Sequence, residues 1–196
     1  MRWTEDDVVE DAFPLLERAR LEGLRLRGVA REPGVHLPSV SRYLKSRRSL
    51  SETMADTGVG SVRTDGLPAA PVERVRVVVD RYRAALLAHR DGGRLVAGTF
   101  AGTGRTLRVA EVMVAGLLET GHSEEDAARL CGALAHFTLG LTQEQRTSPP
   151  DAGAQAGYLC AEEGFPAPAK VAARPMTRDS FDARFGHRPA RLLGLG

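Results

Sequence analysis

Between residues 72 and 141 the apolar residues recur at three- and four-residue spacing, in three runs separated by breakers. The first run holds Val72, Val75, Val78, Val79, Tyr82, Leu86 and Leu87 and stops at HRDGG. The second holds Leu107, Ala110, Met113, Val114 and Leu117 and stops at Gly121. The third opens on Ser123 and Asp126, spaced as a capping box, and continues through Ala127, Leu130, Cys131, Leu134, Phe137, Thr138 and Leu141. Such spacing gathers each set on one face of an α-helix, and that face has to be buried. Aromatics are only 5% of the chain, and Ala, Leu, Val and Arg dominate, which favours helix over sheet. The expectation is an all-α protein. At 196 residues and 42% apolar, it is long enough to build a sizeable core.

Ahead of these runs the helices are shorter. Thr4 and Asp7 read as a capping box, followed by Val8, Val9, Ala12, Leu15, Leu16 and Ala19 at helical spacing, with a kink expected at Pro14. A second helix is expected from about Leu26 to Glu32, with Leu26, Val29 and Ala30 inward, stopped by Pro33 and Gly34. A third begins near Leu37 with Pro38 in its first turn, where proline is tolerated, and turns Val40 and Leu44 to the core. Ser46 caps a fourth helix carrying Leu50 and Met54. Gly58 and Gly60 loosen the chain, and DGLPAAP at 65–71 reads as a linker. Residues 147–157 read as a mobile loop. In the tail, Phe181, Phe185, Leu192 and Leu193 suggest a last helix interrupted by Gly186, Pro189 and Gly194.

Charge separates the two ends. The net charge is +2, but residues 18–50 carry nine Arg or Lys against Glu22 and Glu32, while the remainder is net acidic. A basic segment on an acidic body points to a polyanionic partner for that segment alone. Cys131 and Cys160 have no ligand-like spacing, which argues against zinc and against a disulfide scaffold. The first residues lack the apolar core of a signal peptide, and no apolar run approaches a membrane span. A reduced, cytoplasmic protein with no metal and no cofactor is expected.

GVHLPSVSRYLKSRRSL at 34–50 crowds Arg42, Lys45, Arg47 and Arg48 against the end of one short helix and the start of the next. A helix, a glycine turn, a helix with a proline start and then a capped basic helix is a helix-turn-helix arrangement. Leu37, Ser39, Ser41, Arg42 and Tyr43 lie off the Val40–Leu44 stripe and are free to face a groove. Arg47 and Arg48 fall in the first turn of a helix, where the macrodipole disfavours cations. A DNA phosphate there turns that conflict into an attraction. A solvated charged face is the alternative reading of the same cluster.

Three stretches carry a resemblance. VVEDAFPLLERARLEGLRLRGVAREPGVHLPSVSRYLKSRRSLSETMAD at 8–56 resembles the DNA-binding domain of the TetR (tetracycline repressor) family of bacterial regulators. RAALLAHRDGGRLVAGT at 83–99 and ALAHFTLGLTQEQ at 133–145 resemble the C-terminal domain of its tetracycline-binding members. The resemblance implies an all-helical homodimer. Residues 1–50 would form the helix-turn-helix DNA-binding domain, 51–70 a connecting helix and linker, and 71–196 the ligand-binding and dimerisation domain. Dimerisation would use the helix at 123–145 and the tail helix. The partners implied are double-stranded operator DNA and a small-molecule inducer that releases it.

The resemblance also implies roles for individual positions. The recognition helix maps to 37–44, where Pro38 and Ser39 match the family. Ser41 stands where the family usually has a tyrosine, and Arg42 and Tyr43 stand where its side chains reach bases or phosphates. Arg27 and Arg47 match basic positions at the starts of the second and fourth helices. Pro33 replaces an apolar residue, and Arg20 replaces a glycine that ends the first helix. On the ligand side, Val96 replaces the histidine that holds the drug's magnesium, and no histidine lies between Leu50 and Arg83. Val78 replaces an asparagine and Tyr82 a phenylalanine, while Thr99, His136 and Glu144 are kept. A metal-chelated tetracycline is therefore not the expected ligand. A more apolar one is, with Tyr82, Val96, Thr99, Phe100, Met113, Cys131 and His136 as lining.

Other readings remain compatible with the sequence. A degenerate member would keep dimer and pocket but bind DNA poorly, because of Pro33, Ser41 and the broken tail. An enzyme would use His136 and Glu144, two turns apart on one helix face. GTFAGTGRT at 98–106 is glycine-rich like a phosphate-binding loop, but it lacks the Gly-Lys-Ser/Thr ending and reads as flexible turns. His89 reads as a helix-end residue satisfied by the last carbonyls.

Overall fold

The computed structural model describes residues 4–31, 43–99, 102–147, 166 and 181–192, the last with side chains only to 186. Among the described residues every regular element is a helix and none is a strand. The chain divides into two units, Met1–Gln143 and Glu144–Gly196.

The first unit opens with α1 (Glu5–Glu10) and α2 (Ala12–Gly23). Thr4 caps α1: its hydroxyl accepts from the Asp7 N–H at 3.2 Å, and its own N–H donates to the Asp7 carboxylate at 2.7 Å. These hydrogen bonds hold the Asp7 carboxyl below the usual carboxylate range. The expected single first helix breaks at Asp11 rather than bending at Pro14. Pro14 is the third residue of α2, where its missing N–H has no intrahelical partner to lose. The bend lies at Arg20, whose φ of 56° and ψ of 176° interrupt α2. Arg20 is the only non-glycine residue with positive φ among those described.

After α3 (Leu26–Val29), which is shorter than expected, residues 32–42 lie outside the described structure. The turn at Pro33 and Gly34 and most of the expected recognition helix fall there. The chain resumes at Tyr43 and the fully buried Leu44 and enters α4 (Arg47–Gly60). Ser46 caps α4 as expected, accepting from the Ser49 N–H at 3.0 Å. Val8, Val9, Ala12, Phe13, Leu16, Leu24, Val29, Leu50 and Met54 close around Leu44 as one apolar cluster. Leu95, from much later in the chain, completes it.

Gly58 and Gly60 do not loosen α4, which stays helical through both. The Arg105 side chain lies so close over Gly60 that a Cβ there would meet its Cδ at 2.7 Å, and Arg105 also donates to Thr57 Oγ1 at 2.9 Å. The break expected at 65–71 spans 61–70, starting earlier and leaving Pro71 to the next helix. It is followed by α5 (Pro71–Ala88), α6 (Gly92–Ala97), α7 (Gly104–Glu119) and α8 (Glu124–Thr147). Pro71 sits at the start of α5, where its fixed φ suits the first turn. α5 and α7 pack tightly: a Cβ on Gly116 would meet Val75 Cγ2 at 2.5 Å. Ser123 joins Asp126 at the start of α8 as the spacing predicted. The short α6 was not legible in the sequence.

In the second unit α9 (Phe181–Leu192) runs through Gly186 and Pro189, which were expected to break it. A proline in a helix interior removes one backbone hydrogen bond, and here the helix continues past that loss. The Arg184 guanidinium binds both Glu144 oxygens, at 2.9 and 3.0 Å, and lies 4.8 Å over the Phe181 ring. Residues 148–157 of the expected loop are outside the described structure.

Candidate DNA-binding residues and ligand cavity

Of the residues expected to face DNA, Leu37, Pro38, Ser39, Ser41 and Arg42 lie outside the described residues. Arg27 is exposed at the end of α3. Tyr43 differs from expectation. It packs half-buried against the N-terminal cluster instead of standing clear of it, because its ring covers apolar surface beside Leu44. Lys45, Arg47 and Arg48 are exposed at the start of α4. Arg47 reaches back to donate to the Leu21 carbonyl at 2.7 Å, and Arg48 pairs with Glu52 one turn on at 2.8 Å. A pair with so exposed a guanidinium is weak, so a phosphate competes with it readily.

The bend at Arg20 is tied to α6. It leaves the Leu21 N–H free to donate to the buried Asp91 carboxylate at 2.9 Å. Around this contact Arg94 reaches Glu22 at 2.6 Å, and the Arg90 N–H donates to Glu17 at 3.0 Å. Arg94 holds the Glu22 carboxyl below its usual range by hydrogen bonding. His89 is not satisfied by the last carbonyls of α5. Its backbone is extended, its ring stacks on Phe13 with centroids 4.0 Å apart, and its Nδ1 lies 3.3 Å from Glu17 Oε1.

Behind α4 lies an apolar cavity of about 220 Å³. Tyr82 from α5, Val96 and Thr99 at the end of α6, Met113 from α7 and Cys131 from α8 line it, and all five stood among the sequence candidates. Val78 is fully buried in α5 but is not on the wall. Phe100 is outside the described residues. His136 is exposed on α8 and does not line the cavity, and Glu144 is bound to Arg184. His136 lies five positions past Cys131, on another face of α8 from the cavity-lining Ala135 and Leu139. Val59, Thr106, Val109, Ala110, Ala135 and Leu139 complete the described wall and were not among the sequence candidates. Stepping four residues at a time from Cys131 gives Ala135 and Leu139, and from Thr106 gives Ala110, so helical spacing contained that signal.

Among the described residues the cavity wall holds no formal charge. Burial pushes the Tyr82 phenol up to about 12 and raises the Cys131 thiol. Thr99 Oγ1 donates to the Leu95 and Val96 carbonyls at 3.2 and 3.1 Å. Thr106 Oγ1 donates to Asp56 at 3.1 Å. Asp56 is buried on α4 and also receives the Thr103 hydroxyl and, at 3.2 Å, the Thr106 N–H. Arg105, beside it, binds both Asp6 oxygens at 2.6 Å. One polar knot therefore joins α1, α4 and α7 next to the cavity. Among the described residues no group of three or more His, Cys, Asp or Glu side chains is placed to hold a metal. Nor is any helix long and apolar enough to cross a membrane.

Short helices bearing a basic turn, packed on a helical body with a half-open apolar cavity, are the arrangement of a one-chain helical regulator. Residues 68–189 match the family described as the tetracyclin repressor-like C-terminal domain. The class A tetracycline repressor of Escherichia coli transposon 1721 is 29% identical over 78% of this chain and 71% of its own length. A possible TetR family transcriptional regulator from Streptomyces coelicolor superposes with a TM-score of 0.79 at 31% identity, over 97% of each chain. ActR of the same organism, in complex with actinorhodin, shares the fold at a TM-score of 0.84 and 24% identity, over the whole of both chains. The chain belongs to the TetR family of transcriptional regulators, which are DNA-binding proteins rather than enzymes.

Proposed function

We propose that this protein is a cytoplasmic repressor that binds a palindromic operator as a homodimer and is released by a small, largely apolar molecule in the α4–α8 cavity. Residues 1–50 would bind DNA, 51–70 connect, and 71–196 bind ligand and dimerise. The observation that carries the reading is Val59. It lines the cavity and lies on α4, the helix whose first turn presents Arg47 and Arg48. A ligand would therefore touch the same rigid element that meets the phosphates. α6 gives a second connection, since Leu95 belongs to the N-terminal cluster while Val96 lines the cavity.

The class A relative is named for tetracycline, and ActR is complexed with actinorhodin. Both names favour a multi-ring organic ligand here. The lining argues against the metal-chelated form, because Val96 offers no lone pair to complete a magnesium octahedron. The test is selection of bound duplexes from a random-sequence library, followed by a screen for compounds that dissociate the selected duplex. An enriched palindrome released by an uncharged apolar compound supports the proposal. Failure to enrich any sequence would favour the degenerate, DNA-blind alternative.

A further inference from the structure

The wall of the cavity also specifies what kind of ligand fits. We infer that it selects an uncharged, mainly hydrocarbon molecule bearing one hydrogen-bond acceptor oxygen, received by the Tyr82 hydroxyl. This deepens the repressor reading and rests on its assignment of the cavity as the inducer site.

Among the described residues three hydroxyl-bearing side chains line the cavity, and they are not equivalent. The Thr99 proton is committed to the backbone carbonyls of α6 and the Thr106 proton to Asp56. Toward a ligand these two offer lone pairs only. Tyr82 is 7% exposed and lines the cavity, and its proton is not committed to a carbonyl or carboxylate as those of Thr99 and Thr106 are. The Tyr82 hydroxyl is not a fully enclosed, unpartnered polar atom, so water reaches it when the cavity is empty. A ligand oxygen that accepts from it replaces that water, whereas a pure hydrocarbon displaces it and leaves the donor unpaired. The remaining lining, Val59, Val96, Val109, Met113 and Leu139 among it, is apolar and favours hydrocarbon.

Charge selection follows from the same wall. Among the described residues no lining side chain is a cation, so a carboxylate entering the cavity would lose hydration without gaining a counter-ion from them. An ammonium would fare no better, because no lining residue among those described is an acid. The ligand class is therefore a neutral ketone, quinone, ether or ester on an alicyclic or aromatic frame. A second hydroxyl, if present, would be oriented by donating to Thr99.

The experiment is calorimetric titration of the full chain and of Tyr82→Phe with three probes of one shape: 1-tetralone, tetralin and 1,2,3,4-tetrahydro-1-naphthoate. In the unaltered protein tetralone should bind about three- to tenfold more tightly than tetralin, the net effect of one hydrogen bond. The carboxylate should show no measurable binding. In Tyr82→Phe the ketone preference should fall to near unity while tetralin affinity stays the same, which also certifies an intact cavity. Equal or tighter binding of the carboxylate would overturn the inference, and so would a ketone preference that survives Tyr82→Phe. If none of the three binds, the cavity is not a ligand site. That result removes the inducer from the proposed function, whereas DNA selection tests the repressor role separately.

Discussion

Thr106 stands on the wall of the cavity, and its hydroxyl donates at 3.1 Å to Asp56, a buried carboxylate on the helix that begins with Arg47 and Arg48. The same Asp56 oxygen takes the Thr106 N–H at the start of α7. Asp56→Ala removes the acceptor for three donors and leaves them in a poorly hydrated site, at a cost of about 2–4 kcal/mol in unfolding free energy. Thr106→Val keeps the shape and the backbone contact and should cost about 1 kcal/mol. Urea denaturation of both variants checks the ranking. A Thr106→Val loss equal to that of Asp56→Ala would show that the backbone contact contributes nothing.

Arg20→Gly should raise stability. The φ of 56° with ψ of 176° lies in a region almost reserved for glycine, and holding another residue there costs about 1–3 kcal/mol. The partners that fix the bend, the Asp91 contact to Leu21 and the Arg47 contact to its carbonyl, use backbone atoms of Leu21 and survive the change. A higher thermal midpoint for Arg20→Gly is the expected result, and a lower one would contradict the strain argument.

Tyr82 should remain a hydrogen-bond donor well into the alkaline range. Its folded pKa of about 12 exceeds the ordinary phenol value near 10, because burial penalises the phenolate. A raised folded pKa contributes stability that is complete below pH 10 and is lost as pH rises through 12, by about 2–3 kcal/mol. Absorbance titration of the tyrosines should therefore show one phenol ionising late, and Tyr82→Phe should remove it. The tetralone preference should not change between pH 7 and 10. A preference that halves by pH 10 would mean an ordinary phenol.

Arg48 is held by Glu52, and the pair is exposed. Glu52→Gln should free the guanidinium and tighten DNA binding at low salt, by about two- to fivefold. Arg47→Ala should do the opposite and flatten the salt dependence by about one phosphate contact. Fluorescence anisotropy of a labelled duplex measures both. If Arg47→Ala alters neither affinity nor slope, the residue serves only its contact to the Leu21 carbonyl.

Local signals were the ones legible in the sequence. The capping residues Thr4, Ser46 and Ser123 are where spacing put them, because a cap is a contact over three residues. The long apolar runs became α5, α7 and α8 for a similar reason. What the sequence hid was set by distant partners. Gly60 stays helical because Arg105 lies across it, and His89 points at Glu17 and Phe13, more than seventy residues away. The cavity was half legible. Tyr82, Met113 and Cys131 share its wall with Val59 and Thr106, which nothing local distinguishes from ordinary core or cap residues. His136 was over-read: position in a matching stretch does not determine which face of a helix a side chain occupies.

In the proposed function these N-terminal helices bind a specific duplex, and occupation of the cavity releases it. Anisotropy of a library-selected duplex, titrated with protein at several salt concentrations and then with a releasing compound, tests that function most directly. The predicted result is a log–log salt slope of several units, about 0.9 for each phosphate neutralised, and full release at saturating ligand that Tyr82→Phe shifts to higher ligand concentration. A slope near zero, or a complex that persists while calorimetry shows the cavity filled, would contradict it.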